Sequence, residues 1–195
     1  MFVDYLTLML VNLVAGLLLL ALHLVFFLER NPKRLAPGFL LTGFLGIATA
    51  LPMVLTWPLP GAHNIAFGEM ALLFGALFFF AGLALLRDWD LLALGIYAVL
   101  AGLAAVVVGA RILNKGMTQA PLLTFLGYLF TGVGGILTLP AYLLRKSLAF
   151  RIVVALVLLV GAAIWAFTGY GSYWIHLDSF AKYFPGGPPP APAAQ

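Results

Sequence analysis

Residues 56–82, TWPLPGAHNIAFGEMALLFGALFFFAG, decide the fold because they lead from a proline-broken loop into a long apolar helix. Glycines recur at a seven-residue step in this helix and in the next apolar stretch: Gly68, Gly75, Gly82, Gly95, Gly102 and Gly109. A seven-residue step keeps one face of a helix turned toward a partner that supercoils with it. The pattern therefore predicts two helices, each with one glycine face.

The spacing of these six glycines also predicts how the two helices pair. If the chain turns near residues 87–89, Gly82 lies level with Gly95, and the other glycines pair in the same way. Small residues let helix backbones approach closely in lipid, where no hydrophobic force drives helices together. We therefore expect an antiparallel hairpin whose glycine faces pack on each other. The alternative is that the glycines make room for a ligand or a pore.

The composition indicates an integral membrane protein with the lipid bilayer as its surroundings. Of the 195 residues, 64% are hydrophobic and 8% are charged, whereas about a quarter of the residues in a soluble domain are charged. The net charge of +4 is spread over loops, which argues against a nucleic-acid partner. The absence of cysteine excludes disulfides and thiolate metal sites.

Apolar runs long enough to cross about 30 Å of hydrocarbon recur along the chain. Because backbone groups in lipid must be satisfied internally, these runs predict helices, and the fold class is all-α, a bundle of six transmembrane helices in one domain, residues 1–184. A short interfacial helix over 170–184 and a disordered, proline-rich tail over 185–195 follow. The predicted spans are 5–28, 38–57, 66–86, 90–111, 121–144 and 149–169.

Basic residues predict the orientation, since cytoplasmic loops carry an excess of lysine and arginine. Seven of them fall in or beside the loops after spans 1, 3 and 5: Arg30, Lys33, Arg34, Arg87, Arg145, Lys146 and Arg151. Three fall on the other side: Arg111, Lys115 and Lys182. We expect a multi-pass protein of the plasma (inner) membrane with both termini outside.

Weak similarity between the two halves suggests an inverted repeat of three plus three spans. Asp4-x-Leu-x-Leu is matched by Asp90-x-Leu-x-Leu, and Leu51–Pro52 inside span 2 is matched by Leu139–Pro140 inside span 5. Many secondary transporters are built from such repeats. Chance similarity in a sequence rich in leucine, alanine and glycine is the alternative.

Glu69 is the candidate site residue with the clearest physical motive. A carboxylate near the start of span 3 is costly in a membrane unless it is paired. In the expected hairpin, Arg111 lies within one turn of it, so Glu69 either forms a salt bridge with Arg111 or acts as a proton or cation acceptor that faces an outer cavity.

Other polar residues fall on the same predicted outer side. His63, Asn64, His176 and Asp178 are candidates for a ligand or ion site with Glu69. No ligand spacing typical of a metal site joins them, so a solvated loop histidine is the favoured interpretation and no metal is predicted.

His23 stands alone on span 1, toward the predicted cytoplasmic end. It is interpreted either as a haem ligand or as a buried polar contact. A haem between helices usually takes a second axial histidine at similar depth, and none is available, so no cofactor is predicted and haem is kept as the alternative.

Three segments together resemble an uncharacterised prokaryotic family of small polytopic integral membrane proteins, catalogued as a domain of unknown function. They are WPLPGAHNIAFGEMALLFG (57–75), WDLLALGIYAVLAGLAAVVVG (89–109) and APLLTFLGYLFTGVGG (120–135). The resemblance implies a bacterial or archaeal membrane protein without an assigned activity, and it transfers no catalytic residues.

Two functions are carried forward. The first is a transporter-like membrane protein that binds or passes a small solute or ion, with an outer grouping of Glu69, Arg111 and His63. The second is an accessory or redox-associated subunit of a larger complex, binding haem or quinone; a homo-oligomer is also compatible. An enzyme is the least favoured class, because the chain lacks paired carboxylates, a nucleophile–base pair and a phosphate-binding loop.

Overall fold

The computed structural model describes residues 4–179 and residue 181, and all regular elements in this part of the chain are helical. Six long α-helices follow one another: α1 Tyr5–Leu22, α2 Ala36–Thr56, α3 Met70–Arg87, α4 Leu92–Lys115, α5 Pro121–Leu143 and α6 Leu148–Ser179. With their flanking turns, all six are long and apolar enough to cross a membrane. The predicted all-α, six-span fold is confirmed, and the chain is a multi-pass membrane protein.

Short irregular turns adjoin three of these helices. α1 continues into a π-helical turn at His23–Phe27, and α3 is preceded by another at Asn64–Glu69. A 3₁₀ turn at Pro32–Leu35 leads into α2. A left-handed glycine, Gly116, ends α4 with φ of 60°, a conformation that favours glycine because it has no Cβ.

The last helix differs from the prediction. α6 runs without a break from Leu148 to Ser179, so residues 170–179 continue the sixth span and are not a separate interfacial helix. Its 32 residues would extend about 48 Å at 1.5 Å per residue. No proline interrupts it, and glycine alone does not stop a helix that packs along a neighbour. The predicted tail over 185–195 lies outside the described residues.

The six helices form a closed ring in chain order. Each helix packs against the next, and α6 packs against α1 to close the ring. We call the end with the α1–α2, α3–α4 and α5–α6 connections the basic end, and the end with the α2–α3 and α4–α5 connections the opposite end. Which of the two ends faces the cytoplasm stays a prediction.

The glycines do not pair as the hairpin predicts. Those of α3 lie against α2: a methyl group at Gly75 would lie 2.9 Å from the Gly46 carbonyl carbon. Those of α4 lie against α5: a methyl group at Gly102 would lie 2.5 Å from the Gly132 carbonyl oxygen. Gly68 and Gly82 likewise face α2, and Gly95 and Gly109 face α5. The expected α3–α4 glycine interface is therefore wrong.

The reason for the error lies in the ring. Each helix has two neighbours, and the seven-residue step identifies a face without identifying which neighbour that face meets. Glycine lies on both sides of the two observed interfaces, because Gly46 of α2 meets Gly75 and Gly132 of α5 meets Gly102.

The extent of helix packing differs between the halves. α2 packs more extensively on α3 than on α1, whereas α5, its counterpart in the suggested repeat, packs more extensively on α4 than on α6. The matched prolines do both lie inside helices, Pro52 in α2 and Pro140 in α5.

Candidate functional site

A cavity of about 110 Å³ lies inside the ring, in the half nearer the basic end. All six helices contribute to its wall, from Leu17 on α1 to Leu158 on α6. Leucine, phenylalanine and alanine make up most of the lining. Among the described residues, four lining side chains carry polar atoms: His23, Thr131, Thr138 and Tyr142. The interior is therefore an apolar space with few points at which a ligand could be oriented.

Three of these four polar side chains already have hydrogen-bond partners. Thr131 Oγ1 accepts from Trp165 Nε1 at 2.8 Å. Thr138 Oγ1 donates to the Gly134 carbonyl at 2.9 Å. Tyr142 donates its hydroxyl to Asp90 Oδ2 at 3.0 Å, at the edge of the cavity.

His23 is the exception. Its side chain is buried, with 4% of the residue exposed, and neither Nδ1 nor Nε2 has a hydrogen-bond partner within the described part of the chain. The ring packs edge-on against Phe39, with centroids 5.8 Å apart. A buried polar group without a partner costs about 1–3 kcal/mol. The neutral imidazole thus leaves one donor and one acceptor unused in the cavity wall.

Two features fix the backbone at this histidine. The π turn begins at His23, whose carbonyl accepts from Leu28 N at 2.8 Å. Arg151 reaches across from α6 and donates from Nη1 to the Leu24 carbonyl at 2.7 Å. Arg151 is only 7% exposed, so it ties α6 to this turn and holds the backbone that carries His23.

The sequence prediction placed Arg151 among cytoplasmic loop residues and did not foresee its burial. The available signal was its position three residues inside an apolar helix. A basic residue there requires an acceptor within the protein, because an unpaired guanidinium is costly in lipid.

The expected pair at the opposite end does not form. Glu69 is exposed and makes no ion pair with any residue that the structure describes. Arg111 instead donates from Nη1 to Asn114 Oδ1 at 2.9 Å on its own helix. The pairing depended on the α3–α4 glycine register, and α4 turns its glycine face to α5.

His63 and Asn64 hold loops together. The two ring nitrogens of His63 lie 2.8 Å from the Pro60 carbonyl oxygen and 2.7 Å from that of Met117, so the ring joins the α2–α3 and α4–α5 connections. Asn64 is fully buried and binds back to the loop, accepting from Leu59 N at 2.9 Å. Both side chains serve the local fold.

His176 joins α6 to the start of α1. Its Nδ1 lies 2.5 Å from Asp4 Oδ2 and 3.1 Å from Thr7 Oγ1. Asp178 is exposed on the same helix. Neither residue contacts Glu69 or His63 through a hydrogen bond or ion pair that the structure records. Over residues 4–179, no group of three or more histidine, aspartate and glutamate side chains could hold a metal ion.

Comparisons with known proteins add a family and no activity. No curated protein and no solved structure matches the chain. A family model with the description "Protein of unknown function (DUF981)" matches residues 1–179. Because the match covers nearly the whole chain, the protein belongs to this family.

Proposed function

We propose that this membrane protein binds a small, lipid-soluble molecule in its central cavity, oriented by one hydrogen bond to His23. The observation that carries the proposal is the buried imidazole without a partner in the wall of an otherwise apolar space. A water-sized group takes about 10–15 Å³ in this measure of volume, so about 110 Å³ holds roughly seven to eleven such groups, the size of one small substituted ring.

The hydrogen bond sets the selectivity. Lipid tails are as apolar as the cavity wall, so moving an apolar molecule from lipid into the protein gains little hydrophobic free energy. Hydrogen bonds between groups inside a membrane contribute about 0.6–1.7 kcal/mol, which corresponds to roughly threefold to twentyfold in affinity. Both nitrogens of His23 are almost completely covered by protein atoms. A small rotation of the imidazole therefore accompanies binding.

The dimensions favour this ligand class over the other candidates. Pockets for drug-sized molecules measure about 300–1,000 Å³, so a haem would require the helices to separate. The head group of a quinone is a single ring with hydrogen-bonding oxygens, which keeps a redox-associated subunit as a second candidate. An ion site built from Glu69, Arg111 and His63 has less support, because no hydrogen bond or ion pair in the described part of the chain joins these side chains and His63 already has partners.

Phenol and toluene form a matched pair of probes, since they have similar shapes and differ in one hydrogen-bonding group. Purified protein in lipid nanodiscs is dialysed against each probe, and affinities are referred to the probe concentration in the lipid. We expect phenol to bind about threefold to twentyfold more tightly than toluene. His23→Phe should abolish this preference, whereas Leu22→Phe, at a lipid-facing neighbour, should retain it.

A second variant tests the location of binding. Ala98 lines the cavity from α4, so Ala98→Leu should fill part of it and weaken phenol binding at least tenfold. Ala93→Leu adds the same side chain at an exposed position of the same helix and should have no effect. Equal phenol and toluene affinities in the wild type, or an unchanged preference in His23→Phe, would disprove the proposed function.

A further inference from the structure

A second, smaller cavity lies on the other side of the ring centre. Its volume is about 40 Å³, and its wall comes from residues nearer the opposite end, including Met9, Met70 and Ala71. Three residues line both cavities: Phe74, Phe78 and Thr131. The two spaces therefore meet at these side chains, near the middle of the ring.

Phe78 forms part of this boundary. Its ring packs on the backbone of Gly16, where a methyl group would overlap ring atoms. On its other side the ring stacks on Phe39, with centroids 6.0 Å apart and planes at 25°. Because Phe78 lines both cavities, a ligand that extends from one into the other has to pass this ring.

Three polar side chains in the wall of the second cavity donate hydrogen bonds within the protein. Asn12 donates from Nδ2 to the Thr42 carbonyl at 2.8 Å. Tyr128 donates its hydroxyl to the Ala66 carbonyl at 2.6 Å, and Trp165 donates to Thr131 as described above. With these groups satisfied, the space suits hydrocarbon. A water-sized group takes about 10–15 Å³ in this measure, so 40 Å³ accommodates about three methylene groups.

We infer that the natural ligand is a ring with one hydrogen-bonding group and an attached alkyl chain of about three carbons. The ring occupies the larger cavity beside His23, and the first three or so chain carbons pass Phe78 into the smaller one. This inference rests on the proposed function and specifies its ligand class. It assigns a binding role to Phe78 and to the second cavity, which a ring alone does not use.

A series of para-alkylphenols, from phenol to hexylphenol, tests the inference in nanodiscs. Referring affinities to the probe concentration in the lipid removes the general preference of longer chains for hydrocarbon. We expect the dissociation constant to fall about fivefold from phenol to propylphenol, the change that about 24 cal/mol per Å³ gives for filling this cavity. For hexylphenol the dissociation constant should rise again, because the space is full.

Ala71→Leu is the matching variant, since Ala71 lines only the smaller cavity. It should leave phenol binding unchanged and remove the fivefold gain of propylphenol. Ala76→Leu, on the same helix and lining neither cavity, should keep the gain. A dissociation constant that does not vary with chain length, or a gain that survives Ala71→Leu, would overturn the inference while phenol binding stands. A failure of phenol itself to bind would overturn the proposed function, and the inference with it.

Discussion

His23 and His63 lie in opposite halves of the ring and differ in what their nitrogens contact. Both ring nitrogens of His63 lie beside backbone carbonyls of two connections. Those of His23 contact no polar group in the described chain and sit in the wall of an apolar cavity. The polar cluster at the opposite end thus stabilises loops, while the isolated histidine keeps its hydrogen-bonding capacity. Unsatisfied capacity, and not the clustering of polar residues, identifies the candidate site.

The largest expected effect on stability comes from the opposite end. Asn64→Ala removes the buried amide that binds Leu59 and Gly61, and it leaves their backbone groups unpaired. We expect a loss of about 2–4 kcal/mol in the free energy of unfolding, measured by denaturant titration in mixed micelles. Binding of phenol, corrected for the folded fraction, should be unchanged. A loss of binding without a loss of stability would place the ligand at this end.

His63→Ala should have a smaller effect of the same kind. It removes the contacts to the Pro60 and Met117 carbonyls; because an imidazole with one N–H can donate to only one of them, about one hydrogen bond of about 1 kcal/mol is lost. We expect a loss of about 1 kcal/mol in the same titration, with the phenol-to-toluene preference intact. Unchanged stability would show that the two connections do not depend on this ring.

His23→Phe should act in the opposite direction. Replacing an unsatisfied buried imidazole by an apolar ring of similar size removes its desolvation cost while preserving the packing on Phe39. We expect the free energy of unfolding to rise by about 1 kcal/mol while ligand selectivity is lost. A marked destabilisation would mean that His23 has a structural partner and would remove the contrast with His63.

Glu69→Gln should have the smallest effect. The carboxylate is exposed and makes no ion pair with the described residues, and substitutions at such positions usually change stability by less than about 0.5 kcal/mol. Phenol binding should also be unchanged. A large effect on either quantity would restore Glu69 as a functional residue.

The sequence was sufficient for the fold class and insufficient for the contacts. Six apolar runs predict six spans because hydrocarbon thickness and backbone hydrogen bonding leave few other structures. Gly75 and Gly102 do lie at helix interfaces, but a one-dimensional step could not tell which neighbour each faces in a closed ring. The predicted Glu69–Arg111 pair depended on that register, and it does not form.

The site was only partly predictable for a related reason. His23 was singled out as a lone polar residue in an apolar span, and both a ligand role and a satisfied contact were kept open. The choice between these two roles depends on the side chains that six helices place around His23, and on Arg151, which binds the neighbouring turn. Such distant contacts are absent from local sequence patterns. The apolar wall itself is composed of residues that look like ordinary core.

The most direct test observes the three histidines of the chain together. Labelling histidine with ¹⁵N allows the ring nitrogens of His23, His63 and His176 to be followed by NMR, with His23→Phe identifying the first. Titration with phenol should shift the His23 resonances in a saturable manner and leave the resonances of the other two histidines unchanged. Titration with toluene should not shift the His23 resonances in this way. Shifts of equal size at all three histidines, or none at His23, would contradict a ligand site in the central cavity.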